Sequence, residues 1–475
     1  MAGTLAVMHD RVSRALDRVP PWLLSVLALL AFAGVATWLS VTTWNQLSTS
    51  RLDQGMLTDF RDAVYYPVVA IRDGVNPYSA STYYEHYPVG QEFPLYTPHH
   101  LLLHSPLLLF PFATARAVYF GWNVALILGF AAATLRLLGI RTSMAGVFGL
   151  GTLILLSDPG RFDLRTGQPT LMIVIAVYFA IRARNHRGAA TDLRALPSRA
   201  VSMLLGAAAL AVIWTKPTYA VPVGVLLIAR GRTRLVAYGT AIGFALSALV
   251  LPFLVGAAGG VNSLVDSWTE SARITSRSPQ SQLGSGLRID LANTFARITR
   301  LRPSEAVAAI GGLLLLAAGA FLIRKLHQRD PDGDREELAI TLFCLLVLTS
   351  MFHVPYDYLL LVGPVALLAR PRPSRPIAWP YRARTAVMVL LLVPLIGPLG
   401  WSPINAAIGK SGFEWMLKTT MMSTYVLIAL GLCVWTAIRQ LRASRPNRAV
   451  SAGQVGGVVE AEQAGHSVGR TDPGD

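Results

Sequence analysis

Uncharged apolar stretches constrain this chain more than any other feature of its sequence. The first carries no charge from Val19 to Ser50, and its segment 21–43 is long enough to cross the roughly 30 Å hydrocarbon core of a bilayer. It is too long for a simple secretory signal and lacks a small-residue cleavage site. Further stretches follow at 117–135, 143–157, 168–181, 200–215, 218–229, 236–258, 306–323, 338–352, 357–369, 385–402 and 420–438. We therefore predict an all-α polytopic membrane protein with about twelve transmembrane helices, several of them short or broken.

Composition supports this class and excludes others. Apolar residues make up 53% of the 475 and charged residues only 14%, whereas soluble domains carry roughly 25% charged residues. Disordered chains, collagens, disulfide scaffolds and ordinary cytosolic enzymes are excluded. Cys344 and Cys433 both lie in apolar stretches and provide neither a disulfide framework nor a metal cluster.

The distribution of basic residues predicts the orientation. Twelve crossings place both termini on one side, and the segments there carry 27 of the 42 Lys and Arg residues, against 15 on the longer opposite loops. By the positive-inside rule, both termini are cytoplasmic in a cell (plasma) membrane. The net charge of +16 therefore reflects membrane orientation, and we expect no nucleic-acid partner.

This topology divides the chain into three parts. We expect a cytoplasmic segment at 1–20, a transmembrane domain at 21–440 and a disordered, Gly- and Ser-rich cytoplasmic tail at 441–475. Its two long outer loops are 44–112 and 260–305. The second contains a Ser- and Gly-rich run at 278–286, which could close over a substrate or be an idle surface loop.

The first outer loop contains a predicted amphipathic helix lying on the membrane. Its apolar residues recur at helical spacing from Phe60 to Ile71. Thr58 or Asp59 stands at its start, and Asn76-Pro77 ends it. Asp59 is therefore either an N-cap or a general base held at the membrane surface, and the pattern leaves both open.

An aromatic, polar stretch from Tyr83 to His100 follows, and it includes Glu85 and His86. Such residues suit sugar faces and equally suit an interfacial aromatic belt. His99, His100 and His104 have no carboxylate or Cys at ligand spacing, so we predict no metal site. The prolines at 98, 106 and 111 predict a short re-entrant or interfacial helix there rather than a full span.

Further ionisable groups fall on the same outer side. Lys216, one of only four lysines, stands at an outer turn between two apolar stretches. It is either functional or a snorkelling helix-end lysine. The other members of this set are Asp158, Arg161, Arg165, Gln168, His353 and Asp357. Cations and carboxylates that converge on one membrane surface suit a reaction on a lipid phosphate.

Several short motifs, in this order, resemble a known family. They are Asp59-Phe60, Tyr65-Tyr66, Gly74-Val75-Asn76-Pro77-Tyr78, Ser105-Pro106-Leu107, Gly167-Gln168 and Lys216-Pro217. Together they resemble glycosyltransferase family 87, over about residues 20–440. These are GT-C-fold enzymes of actinobacteria that include polyprenol-phosphate-mannose-dependent mannosyltransferases and an arabinofuranosyltransferase.

The resemblance implies a GT-C-like bundle and an inverting transfer from a polyprenyl-phosphate sugar, mannose by default, to a cell-envelope glycolipid or glycan. Asp59 would be the catalytic base, with Asp62 as the second choice. Lys216, His353, Arg161 and Arg165 would bind the donor phosphate. The substrate-lining residues would be Asp62, Tyr65, Tyr66, Glu85, His86, Gln168 and Asp357. No metal or other cofactor is implied, because no nucleotide-sugar motif is found and the leaving group carries one phosphate.

Three alternatives remain at this stage. An arabinofuranose donor would carry the same lipid phosphate. A transporter or flippase for lipid-linked sugars would place ionisable groups near mid-span and show related halves, and we find no internal repeat. A catalytically silent scaffold is disfavoured by the presence of Asp59.

Overall fold

The computed structural model describes residues 19–49, 57–140, 142–183, 196–278, 281–329, 335–370, 379–396 and 412–443. Residues 1–18 and 444–475, which hold most of the expected cytoplasmic ends, lie outside the described residues. Within the described ranges the chain is helical and contains no β-strand.

The helices of the first half are α1 (Pro21–Thr49), α2 (Tyr66–Arg72), α3 (Ala80–His86), α4 (His99–His104), α5 (Phe112–Leu137), α6 (Met144–Leu156), α7 (Asp158–Thr166), α8 (Thr170–Arg182) and α9 (Leu196–Ile213). Those of the second half are α10 (Pro217–Ala229), α11 (Thr233–Ala258), α12 (Val261–Arg277), α13 (Leu291–Thr299), α14 (Glu305–Gln328), α15 (Glu336–Ser350), α16 (Val362–Ala369), α17 (Tyr381–Ile396) and α18 (Gly412–Ala443). A π-helical segment, Phe60–Tyr65, leads into α2, and 3-10 helices at Ser105–Leu109 and Pro355–Leu361 follow α4 and precede α16.

Each apolar stretch expected to span the membrane overlaps a helix. Five segments are long and apolar enough to cross: Pro21–Thr43, Phe112–Leu137, Thr233–Ala258, Glu305–Gln328 and Met416–Ala443. Other apolar helices, such as α6, α8 and α10, have 13 residues each, fewer than the roughly 17–25 that a single crossing requires. An all-α membrane protein is therefore confirmed, whereas twelve crossings stay a prediction.

Helix α15 is the centre of the bundle. Every residue from Leu338 to Ser350 is buried, as expected for a helix that is apolar on all sides. Helix α14 packs closely against it, because Gly319 lies where an added Cβ would meet the Leu346 side chain at 2.2 Å. In contrast, α1 lies at the periphery and exposes Trp22, Leu27 and Trp38.

The first long loop is a folded layer on one end of the bundle. Its buried side chains, among them Tyr78, Tyr83 and Phe93, pack with Val250 and Leu254 of α11. The helix expected there ends at Arg72, before Asn76-Pro77, since the chain turns at Gly74 with φ 75°. The loop from 260 likewise contains two helices, α12 and α13. We call the bundle end that carries this layer the site end.

At the bundle end opposite the site end, arginines bind the carbonyls of neighbouring helix ends. Arg232 donates to the carbonyls of Ala180 (2.7 Å) and Ile181 (2.5 Å) at the end of α8, and Arg370 donates to the carbonyl of Leu138 (2.9 Å) after α5. Cations at helix C-termini satisfy free carbonyls and oppose the helix dipole. Basic residues that signal orientation in the sequence thus also hold helix ends together.

Candidate active site

A buried ion pair joins two helices at the site end. The Lys216 ammonium lies 3.0 Å from Oδ1 and 3.3 Å from Oδ2 of Asp357. Asp357 is fully buried and Lys216 is 6% exposed. Pro217 starts α10, so α9 cannot continue through Lys216, which is extended. The sequence therefore turns the lysine inward between two helices.

Asp357 is fully engaged by its neighbours. Its Oδ1 accepts from the Tyr219 hydroxyl at 3.0 Å, and its Oδ2 lies 2.9 Å from Nδ1 of His353 and accepts from the Val354 N–H at 3.1 Å. A carboxylate with this many donors serves to position Lys216 and His353 rather than to accept a proton. In contrast, Nε2 of His353 is buried and has no hydrogen-bond partner in the described part of the chain.

Asp59 does not cap the helix that it begins. No capping hydrogen bond forms from its side chain. Instead its Oδ1 accepts from the Gln91 side-chain amide at 2.7 Å, and the Gln168 amide also interacts with the carboxylate. Gln168 in turn accepts from the Tyr96 hydroxyl at 3.1 Å. The structure therefore does not support the N-cap interpretation, and the role of Asp59 as a general base stays a prediction.

The surroundings of Asp59 alter its basicity. Desolvation raises the pKa of its carboxyl above the usual value, and the nearby negative charge of Asp62 acts in the same direction. Hydrogen bonds from Gln168 and Gln91 and the positive charge of Lys216 oppose this rise in pKa. A carboxylate with a raised pKa is a stronger base than an exposed one.

Gly167 makes the approach of Gln168 to Asp59 possible. It ends α7 with φ 72°, a left-handed conformation, and an added Cβ would lie 2.7 Å from Cβ of Phe60. The Leu57 N–H donates to the carbonyl of Arg165 at 2.7 Å, which fixes the chain entering the π-helix against α7. Only glycine fits this crossing of backbones.

Asp62 orders the loop that carries Gln91. Its carboxylate accepts from the Arg61 guanidinium at 2.5 and 3.0 Å and from the Gly90 N–H at 3.1 Å. An added Cβ at Gly90 would lie 2.7 Å from Arg61 Nη2, so a side chain there would displace the guanidinium from this position. Asp62 is therefore placed for positioning rather than for the role of base.

The remaining expected site residues are more dispersed. Tyr65 is buried and donates to the carbonyl of Phe110 at 3.1 Å, and the Tyr66 ring packs on Phe112. Both thus belong to an aromatic packing cluster. Glu85 and His86 lie on the exposed face of α3.

The two arginines of α7 differ from Lys216 in their exposure. Arg161 is partly exposed and lies 3.6 Å from Asp158, whose other oxygen pairs with Lys418 at 2.8 Å. Arg165 is exposed. Neither cation is buried in the site as Lys216 is.

The histidines of α4 make internal contacts. His99 bonds to Ser247 and to the carbonyl of Ala211, and His100 bonds to the carbonyl of Ala63, at 2.8–2.9 Å. They hold α4 between α9, α11 and the π-helical segment.

Asp163 of α7 is a buried carboxylate that sequence reasoning did not single out. It is fully buried, and neither oxygen accepts a well-aligned hydrogen bond among the described residues, although the Thr170 side chain lies near enough to favour the ionised form. Desolvation raises the pKa of its carboxyl well above the usual value, the charge of Asp357 adds to this, and Lys216 opposes it. The side-chain amide of Asn123 is also buried without a well-aligned hydrogen bond within the described ranges, and it lies beside the Tyr119 hydroxyl. Buried polar groups with unused hydrogen-bonding capacity call for an explanation, and a functional role is one such explanation.

Comparison with known proteins identifies the family. The family model of glycosyltransferase family 87 matches residues 94–350, more than half of the chain. The chain belongs to glycosyltransferase family 87. No curated protein and no solved structure matches it significantly. The part matched by family 87 includes Tyr96, Gln168 and Lys216, whereas Asp59 and Asp357 lie outside it.

Membership of family 87 makes the chain a glycosyltransferase with apolar membrane helices. A glycosyltransferase requires a base or an equivalent for the acceptor proton, and stabilisation for the leaving group. The site end supplies both types of group, because Asp59 lies within electrostatic range of Lys216.

Proposed function

We propose that this family 87 protein transfers a sugar from a polyprenyl-phosphate donor to a cell-envelope glycolipid or glycan. Mannose is the first candidate for the sugar. The observation that carries the proposal is the placement of Asp59 and Lys216 in one polar site, within electrostatic range of each other. A base beside a buried cation suits a transfer in which a proton is removed on one side and negative charge develops on the other.

In the proposed reaction the acceptor hydroxyl attacks the anomeric carbon from the face opposite the phosphate. The new bond from acceptor oxygen to carbon forms as the bond from carbon to phosphate oxygen breaks, so the anomeric configuration inverts. Asp59 takes the hydroxyl proton. The bond electrons leave with the polyprenyl phosphate, which gains one negative charge, and Lys216 stabilises that charge.

Lys216 retains the capacity to do this despite its ion pair. An ammonium has three N–H donors, and the two oxygens of Asp357 accept from at most two of them. At least one N–H is therefore left for the phosphate. Asp357 holds Lys216 and His353 in place, which lowers the cost of reorganisation when the phosphate arrives. Arg161 and Arg165 would assist from the rim of the site.

Asp163 would contact the sugar. Its carboxyl and the amide of Asn123 are buried with hydrogen-bonding capacity left unused among the described residues, and sugar hydroxyls donate and accept hydrogen bonds. Bound sugar would therefore satisfy groups that cost stability in the empty site.

The proposed orientation follows the distribution of basic residues, with both termini cytoplasmic and the site end facing outward. The donor would then be used on the outer side of the cell membrane. This assignment of sides rests on the sequence pattern alone.

The test is transfer of labelled sugar from synthetic polyprenyl-phosphate mannose by membranes that contain wild type or the Asp59→Asn variant. We expect wild-type transfer and a loss of roughly 10²–10⁴-fold in the variant. Asp73→Asn is the matched control, since Asp73 lies in the same folded loop, exposed and bonded to Arg72, and it should keep full activity. If the wild type is active only with the arabinofuranose donor, the transferred sugar is arabinofuranose and not mannose. If it is inactive with both donors, the assignment of a polyprenyl-phosphate donor is wrong.

A further inference from the structure

An open cleft borders the candidate site outside the helix bundle. Its volume is about 520 Å³, which lies within the roughly 300–1,000 Å³ of small-molecule sites. One wall is Tyr84 of α3 with the loop that follows it, and the other is the last turn of α12. The lining residues are Tyr84, Gly90, Gln91, Glu92, Ile274, Arg277 and Ser278.

One side chain connects this cleft to Asp59. Gln91 lines the cleft and also donates to Oδ1 of Asp59 at 2.7 Å. The Asp62–Gly90 hydrogen bond of 3.1 Å fixes the loop in this position. An amide N–H thus reaches Asp59 from the cleft side, along the direction from which an acceptor O–H would have to donate its proton.

The lining chemistry suits a glycan. Tyr84 is 43% exposed, so its ring offers a face for the C–H surface of a sugar. The Tyr84 hydroxyl donates to Glu92 at 3.2 Å, which places a carboxylate acceptor beside the ring. Arg277 is exposed and lines the cleft, so its guanidinium can donate to hydroxyl oxygens there.

We propose that this cleft is the acceptor subsite and holds the sugar units at the end of a glycan acceptor, with the attacking hydroxyl displacing the Gln91 amide from Asp59. The proposal rests on the proposed transferase function. Five of the seven lining residues are polar or glycine, and the mixture of polar groups with the Tyr84 ring suits a sugar, which presents both hydroxyls and C–H faces. The cleft therefore takes the glycan part of the acceptor.

A cysteine-labelling experiment tests the cleft directly. Both native cysteines, Cys344 and Cys433, are fully buried, so the wild-type chain is a suitable background. Ser278→Cys places a thiol in the cleft wall. Ser276→Cys is the matched control, because Ser276 is exposed on the same turn of α12 but does not line the cleft.

The probe acceptor is a bacterial cell-envelope glycolipid extract, and the donor is polyprenyl-phosphate mannose or its arabinofuranose counterpart. We expect the extract to slow maleimide labelling of Ser278→Cys and not of Ser276→Cys. Labelled Ser278→Cys protein should show an apparent KM for the extract raised about tenfold, equivalent to about 1.4 kcal/mol of binding. The KM for the donor should stay unchanged.

The outcomes separate this inference from the proposed function. If labelled Ser278→Cys protein and the Tyr84→Ala variant keep the wild-type KM for the extract, while Asp59→Asn is inactive, the transferase function stands and the acceptor subsite is overturned. Equal increases in the KM of donor and acceptor would also overturn it. If wild type transfers nothing from either donor, the proposed function itself fails.

Discussion

Lys216 and Asp357, separated by 141 positions in the sequence, form a buried ion pair of 3.0 Å at the site end of the bundle. Tyr219 and His353 contact the same carboxylate. The pair ties the start of α10 to the helix after α15, and it holds a cation where the proposed leaving phosphate needs one.

Breaking this pair should destabilise the protein, because each partner would leave a buried charge uncompensated. We expect Asp357→Asn to lower the free energy of unfolding by about 3–5 kcal/mol, measured by denaturation of the detergent-solubilised protein. The double change Lys216→Met and Asp357→Leu should recover most of this loss but not the transfer activity. Recovery of activity as well would contradict a role of Lys216 in transfer.

The pH dependence of transfer should report Asp59. Because desolvation raises the pKa of this carboxyl, the base is lost as pH falls through a pKa above the ordinary value of about 3.9. Gln168→Leu removes a hydrogen bond that favours the ionised form, so the acidic limb of kcat/KM should move to higher pH. Thr166→Val, at the last residue of α7 and two positions before Gln168, is the control. If the acidic limb of kcat/KM does not move in Gln168→Leu, Asp59 is not the base whose protonation limits transfer at low pH.

The buried carboxyl of Asp163 should lower the free energy of unfolding while it contributes to sugar transfer. Its pKa is raised in the folded protein, so the native state binds the proton more tightly than the unfolded state does. The free energy of unfolding should therefore fall as pH rises from about 4 towards the raised pKa. Asp163→Asn should weaken this pH dependence and lower transfer at least tenfold, which is about 1.4 kcal/mol. Denaturation at several pH values and initial rates measure the two effects.

Gly167→Ala should damage both the fold and the site. The added methyl meets Cβ of Phe60 at 2.7 Å, and the φ of 72° is unfavourable for alanine. We expect a loss of about 1–3 kcal/mol and a reduced kcat, because Gln168 moves relative to Asp59. Gly149→Ala, at a helical glycine with open space around it, should change neither. Thermal unfolding and transfer rates compare the two variants.

The proposed orientation can be tested with single cysteines. Ser81 is exposed on α3 at the site end, and Gln328 is exposed at the end of α14. In intact cells, a membrane-impermeant maleimide should label Ser81→Cys, and should label Gln328→Cys only after permeabilisation. The reverse pattern would invert the topology.

The fold class was predictable because its signal is local. An uncharged stretch such as 306–323 predicts a membrane helix without any knowledge of distant contacts, and helix α14 includes this stretch. The fold of the first outer loop was less accessible, since the end of α2 at Arg72 depends on the turn at Gly74 and on packing against α11. Periodicity alone does not encode those distant contacts.

The site was predictable only in part, for the same reason. The four-residue spacing of His353 and Asp357 indicated that they could meet. No local pattern links Lys216 to Asp357 or Gln91 to Asp59. In the sequence Asp163 is one more charge in an outer turn, and only its complete burial in the structure distinguishes it.

Helix α15 ends three residues before His353, and its buried residues from Leu338 to Ser350 contact protein on all sides. Bilayers that are too thick or thin act on lipid-facing helices through tilt and mismatch. The peripheral α1 is open to that influence, whereas the element that supports His353 and Asp357 is shielded from it. The distances in the site should therefore be insensitive to membrane thickness, and the protein should tolerate changes in acyl-chain length that would disturb an enzyme built on lipid-facing helices.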